Sequence, residues 1–184
     1  MLRTMKATGI VRRIDELGRV VIPKEIRRTQ RIRQGDALEI FTDTNGEVVF
    51  KKYSPLLGLG QLSAVYAEVL AKDLGMPVMV CDRDELVAVT GPRRTELNGR
   101  AISDALRKLL AMRAVYTAPA DADRRLRALE RGDRQVLCAA PIVARGDVEG
   151  GVLLLGTAAD TPPGEPTVHA LCIAAAFLAK WMEE

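Results

Sequence analysis

The chain has 184 residues, 48% hydrophobic and 28% charged, with a formal net charge of +3; this suits one medium globular domain or two smaller ones and excludes a low-complexity chain. No apolar run reaches the ~20 residues that span a bilayer, and Met1-Leu2-Arg3-Thr4-Met5-Lys6 has no apolar stretch behind its charges, so neither a membrane span nor a signal peptide is expected. The charge is uneven: residues 1–53 hold 12 Lys and Arg against 7 Asp and Glu, and residues 54–184 hold 15 against 17, so a basic head that meets an anion, nucleic acid being the commonest, precedes a mildly acidic body.

In chain order, Gly9 to Ile14 and Arg19 to Pro23 read as short strands around the turn Asp15-Glu16-Leu17-Gly18. Pro23 then suits the start of a two-turn helix, Lys24 to Gln30. Gly35-Asp36 leads into a strand from Ala37 to Thr42. Asp43-Thr44-Asn45-Gly46 predicts a hairpin, because Asn-Gly adopts the positive φ angles the turn needs, and Glu47 to Tyr53 closes it. Fifty residues with strands this short cannot bury a self-sufficient core. With no disulfide or metal to compensate, the segment is expected to need a second copy of itself.

Ser54-Pro55 reads as the start of one helix over 54–75, in which Leu59, Leu62, Tyr66, Val69 and Leu74 recur at helical spacing and Gly75-Met76-Pro77 is the stop. That stripe suits either packing within its own domain or self-association. Val78 to Cys81 and Leu86 to Thr90 read as a strand pair, Asn98-Gly99 introduces a helix from about Arg100 to Met112, and Ala114 to Ala118 reads as a strand. The charged stretch Asp121 to Arg134 fits a helix or a mobile segment equally. Val136 to Val143 and Val148 to Leu155 form a hairpin around Arg145-Gly146-Asp147. After Thr161-Pro162-Pro163-Gly164 a last helix, about Pro166 to Met182, places Val168, Leu171, Cys172, Ala175, Leu178 and Met182 on one face. The body is therefore an α+β layered domain over 76–184 whose first helix is 54–75.

The chemistry sits in the block Met5-Lys6-Ala7-Thr8-Gly9-Ile10-Val11-Arg12-Arg13-Ile14-Asp15-Glu16-Leu17-Gly18-Arg19-Val20-Val21-Ile22-Pro23-Lys24-Glu25-Ile26-Arg27-Arg28-Thr29. Lys6, Arg12, Arg13, Arg19, Arg27 and Arg28 stand at its structural junctions. Arginine suits DNA because its planar fork pairs with phosphate oxygens and with the guanine edge. Intertwining two copies would double the set into a broad positive surface.

This block resembles the AbrB-type swapped-hairpin module, and the whole chain resembles the stage V sporulation protein T family of endospore-forming bacteria. The likeness runs on through Gly35-Asp36-Ala37-Leu38-Glu39-Ile40-Phe41, Lys51-Lys52-Tyr53-Ser54-Pro55, Cys81-Asp82-Arg83-Asp84, Gly99-Arg100-Ala101-Ile102-Ser103, Pro141-Ile142-Val143-Ala144 and Ala176-Phe177-Leu178-Ala179-Lys180-Trp181-Met182-Glu183. Gln30 departs from it, standing where the family usually has an apolar residue. The resemblance implies a β-rich dimeric barrel of exchanged hairpins over 1–53, a linking and oligomerising helix over 54–75 and a GAF-like domain over 76–184. It implies a sporulation regulator, activating some genes and repressing others, that binds double-stranded DNA through Lys6, Arg12, Arg13, Arg19, Arg27 and Arg28. It further implies a homodimer through the head and a homotetramer through helices of the GAF-like domains. Leu59, Leu62, Tyr66, Val69, Leu171, Leu178 and Met182 are the residues expected at that contact.

Three other readings compete. A cysteine-dependent reductase would need a thiol with an activating neighbour, yet Cys81, Cys138 and Cys172 stand among apolar residues, and the single histidine, His169, lies in the last helix. Three widely spaced cysteines of this kind suit free thiols in a reducing compartment, so the cytoplasm is expected. An antitoxin would carry a short tail after the basic module, where this chain carries more than a hundred patterned residues. A GAF-type sensor would bind a small-molecule effector that the sequence does not name. No catalytic residue, cofactor or metal site is expected.

Overall fold

The computed structural model describes residues 7–184, which fall into two units, Met1–Tyr53 and Ser54–Glu184. Lys6 lies outside the described residues.

In the first unit, α1 is Lys24–Thr29. The Pro23 carbonyl accepts from the Arg27 amide at 2.9 Å and opens the helix, a place where proline's missing N–H is no loss. The chain leaves α1 through Arg31, whose φ is 54°, and Lys52 Nζ donates to the Arg31 carbonyl at 3.1 Å while pairing with Asp36 at 3.1 Å. Strands β1, Leu38–Thr42, and β2, Val48–Lys52, form an antiparallel hairpin in register from Leu38 opposite Lys52 to Thr42 opposite Val48. Its turn is closed by Asp43, whose carboxylate accepts from the Asn45 and Glu47 amides at 3.0 and 2.8 Å, with Gly46 at φ 82°.

The expected strands at Gly9–Ile14 and Arg19–Pro23 are not formed within the chain. Their turn is: Asp15 N donates to the Arg19 carbonyl and Gly18 N to the Asp15 carbonyl, both at 3.0 Å. A ladder needs a neighbouring strand on each bonded edge, and among the described residues no ladder pairs these two segments.

The second unit is built on a five-stranded antiparallel sheet in the order β4-β3-β7-β6-β5. Its strands are β3 Val78–Asp82, β4 Leu86–Val89, β5 Tyr116–Thr117, β6 Gln135–Ala144 and β7 Asp147–Gly156. On one face lie α2, Pro55–Gly58, α3, Gly60–Leu74, and α6, Glu165–Glu183. On the other lie α5, Asp104–Ala111, and the segment around Ala128 and Leu129. Strand alternation sorts the core: Val78, Val80, Val152 and Leu154 face the α3 and α6 layer, whereas Met79, Cys81, Leu153 and Leu155 face α5. Glycine is required at Gly150, where a Cβ would come within 1.9 Å of the Cys81 carbonyl oxygen and 2.7 Å of Leu56 Cδ1.

Several expectations are corrected here. The helix over 54–75 is broken: Leu59, flanked by the poor helix formers Gly58 and Gly60, ends α2, and its carbonyl accepts the first bond of α3 from the Ser63 amide at 2.8 Å. The Ser54 hydroxyl makes no capping bond. The helix expected from Arg100 starts later because residues 100–102 pair with the β3–β4 turn, through Leu86 N to the Arg100 carbonyl and Ile102 N to the Asp84 carbonyl, both 2.9 Å. Ser103 then caps α5, its hydroxyl accepting from Leu106 N at 3.1 Å. The charged stretch resolves into a 3-10 turn at Ala122–Arg124 followed by irregular chain.

Candidate nucleic-acid interface

Arg12 and Arg13 project from extended chain in the first unit, Arg19 follows the 15–18 turn, and Arg27 and Arg28 occupy the last turn of α1; all five are exposed. Arg19 is oriented by its neighbour: its Nε donates to Asp15 Oδ2 at 2.8 Å and its backbone amide to Asp15 Oδ1 at 2.8 Å. These bonds, the backbone one first, hold the Asp15 carboxyl below the usual aspartate range. The bidentate reach of a guanidinium survives in part, because only the Nε edge is engaged. Arg12, Arg13, Arg27 and Arg28 make no ion pair among the described residues. Arg31 and Arg33, just past α1, are exposed as well. Neither is among the expected contact residues, although Arg27-Arg28 followed by Arg31 and Arg33 is a basic run plain in the sequence.

The unit does not cover its own apolar residues. Among its described residues only Pro23 is buried, while Val11, Ile14, Leu17, Val21 and Ile40 are wide open to water, Val11 at 89%.

The apolar stripes of the second unit are placed differently from their expected use. Leu171 and Leu178 are both 0% exposed, inside the core beneath α6. Leu62, Tyr66 and Met182 pack partly buried against that same core, and Leu59 sits half-buried at the α2–α3 break. The two stripes cover one sheet face together, so Leu171 and Leu178 cannot reach a second molecule. Of the expected contact residues Val69 is exposed, at 61%, and it has Leu57, Val65, Ile173 and Trp181 as exposed company on α2, α3 and α6. Tyr66 stacks on Phe177 at 5.1 Å, and Phe177 leans on Trp181 at 6.3 Å.

Cys81 and Cys138 are buried free thiols, and Cys172 is partly buried. Burial pushes both Cys81 and Cys138 up to about 12, far from the thiolate a nucleophile needs. His169 is exposed near the start of α6. Among the described residues no group of three or more His, Cys, Asp or Glu is placed to hold a metal. No helix is long and apolar enough to cross a membrane.

Comparison with known proteins decides the family. A family model described as the C-terminal part of stage V sporulation protein T, a transcription factor, matches residues 58–183. Stage V sporulation protein T of Bacillus subtilis (strain 168) is 46% identical over 181 residues, 98% of this chain and all of that protein. The chain belongs to the stage V sporulation protein T family. It is a sporulation transcription regulator. Its first unit is 61% identical over 51 residues to the transition state regulatory protein AbrB of the same organism, covering 28% of this chain and 52% of that protein. A model described as the antidote-toxin recognition protein MazE, a bacterial antitoxin, also matches residues 11–56. The second unit has the GAF fold: the GAF domain of an Acinetobacter phosphoenolpyruvate-protein phosphotransferase superposes with a TM-score of 0.54 at 14% identity, over 72% of this chain and 84% of that one.

Proposed function

We propose that two copies of the first unit intertwine, each supplying the strands the other lacks, and that the paired Arg12, Arg13, Arg19, Arg27 and Arg28 grip duplex DNA. The single observation that carries this reading is the pairing of exposed arginines, all but Arg19 without an ion pair among the described residues, with an apolar surface that one chain leaves open. Closing that surface against a second copy contributes roughly 25 cal/mol for each Å² buried and doubles the cationic set. The antitoxin reading is disfavoured because the MazE match stops at residue 56, and the rest of the chain folds around two cores of its own.

Val65 and Val69 of α3 with Ile173 and Trp181 of α6 are among the apolar side chains that the second unit leaves exposed on its helical layer, and they are our candidates for joining two dimers. The regulator then presents two DNA-binding heads, which activate at some genes and repress at others.

The test is DNA affinity measured by fluorescence anisotropy over a salt series. Wild-type affinity should fall linearly in log–log form with salt. In the triple variant R12A/R19A/R27A each lost contact that reads a base should weaken binding by about 1–3 kcal/mol. A folded triple variant with wild-type affinity would remove this surface from the function.

A further inference from the structure

The near-neutral charge of the second unit conceals a division. Residues 93–134, which include α4 (Arg94–Leu97), α5, β5 and the 122–124 turn, carry 11 Lys and Arg against 6 Asp and Glu. The rest of that unit, residues 54–92 and 135–184, carries 4 against 11. The basic stretch packs over the α5 face of the sheet through Leu106, Leu110, Ala128 and Leu129, and the acidic remainder includes the α3 and α6 layer on the opposite face. The charge of the domain is therefore divided along the chain.

Within the basic stretch at least three of the six acids are engaged. Glu96 is held by Arg93, Asp104 by Arg107, and Glu130 accepts from the Asp104 amide at 2.8 Å. Arg125 is buried and spends its guanidinium on the carbonyls of Pro119, Ala120, Thr157 and Asp160. Lys108, Arg113, Arg124, Arg127, Arg131 and Arg134 are different: all six are exposed, and none makes an ion pair or a side-chain hydrogen bond among the described residues. The fold gathers several of them along one seam. The Ser103 hydroxyl donates to the Arg127 carbonyl at 2.7 Å, fixing Arg127 beside the start of α5, from which Lys108 projects one turn on. Arg100 donates to the Arg131 carbonyl at 3.4 Å, holding Arg131 next to the same corner.

Like charges gathered along one seam repel one another, and a surface of this kind is stabilised by a polyanion. Five of the six are arginines, the side chain that forks onto phosphate. We infer that the α5 face of the second unit is a second, sequence-independent contact for the sugar–phosphate backbone of duplex DNA, engaged by duplex beyond the segment that the heads hold. The inference rests on the reading of the first unit as the DNA-binding head. The contact adds affinity and length of DNA covered, not base specificity.

The experiment uses the full-length protein, a short duplex of about 20 base pairs and a long one of about 60, and the variant R124Q/R127Q/R131Q/R134Q. On the long duplex the slope of log affinity against log salt should flatten by about 0.9 for each phosphate contact removed, with affinity at moderate salt falling at least tenfold. On the short duplex both should match wild type. An independent readout needs no variant: wild-type protein mixed with long duplex carrying abasic-site aldehydes and reduced with borohydride should give an adduct on Lys108. An unchanged slope on the long duplex, or trapping confined to the first unit, overturns the inference. So does a variant that binds both duplexes normally but loses self-association in light scattering, since the partner would then be the acidic face of another copy. A failure of the head reading is distinguishable, because R12A/R19A/R27A would then bind the short duplex as wild type does.

Discussion

Asp15, Asp36 and Asp43 each hold a turn of the first unit by accepting backbone amides, from Leu17 and Arg19, from Arg33, and from Asn45 and Glu47. All three carboxyls are held below the ordinary aspartate value, at Asp36 against a burial effect that the Arg33 amide and Lys52 outweigh. A depressed folded-state value stabilises the fold above the unfolded value, about 3.9, and that stabilisation is lost as pH falls through the folded value. The turns of the first unit should therefore keep their amide spectra at pH 5 and change together as the solution is taken below about pH 4. Asparagine at all three positions should remove that acid step; persistence of the step would assign it to other groups. At the same scale, Leu178→Glu and Val69→Glu should behave as opposites. Leu178 is fully buried, so the charge should lower the stability of the second unit by roughly 3 kcal/mol or more. Val69→Glu sits in water and should alter melting by no more than about 0.5 kcal/mol.

Between residues and the whole chain stand the elements, and here β7 is the most constrained. It lies between β3 and β6 in the middle of the sheet, and Gly150 and Gly151 let it run beneath Leu56 and Leu110, whose methyl carbons would stand 2.7 and 2.6 Å from an added Cβ. Gly150→Ala also meets the β3 backbone, which cannot swing aside, and should cost about 1–3 kcal/mol in a denaturant melt. The pattern of this hairpin was legible because its strands are long and apolar on both faces, as a sheet covered on two sides requires. The hairpin turn at Asp43–Gly46 was legible for the opposite reason, that its chemistry is wholly local. What escaped the sequence depended on distant partners. The start of α5 moved to Asp104 because residues 100–102 were captured by the β3–β4 turn. The strands sought at 9–14 and 19–23 find no ladder partner among the described residues. The two helical stripes looked separate along the sequence, although one sheet face receives both. In the candidate interface the cations were readable one by one, but the bonds Arg19 donates to Asp15, which orient it, were not.

For the molecule as a whole, the proposed assembly makes a paired prediction. V65E/V69E should lower the mass seen by light scattering without lowering the melting temperature of the second unit, and should leave binding to a single DNA site intact. Two sites on one duplex should then lose the avidity that tethered heads share; retention of it would place the contact elsewhere. The open apolar surface of the first unit also has a consequence for how the protein is made. The head precedes the second unit along the chain, so a ribosome moving at about 5–20 residues per second exposes it for roughly 7–25 s before the second unit is complete. Throughout that interval Val11, Ile14, Leu17, Val21, Ile40 and Phe50 are open to water, and the cover proposed for them is the head on a neighbouring nascent chain. Ribosomes queued on one message hold such heads close together. Synthesis from polysomes should therefore give more soluble protein per chain than synthesis from messages carrying one ribosome each, and transplanting the head to the far end of the chain should erase the difference.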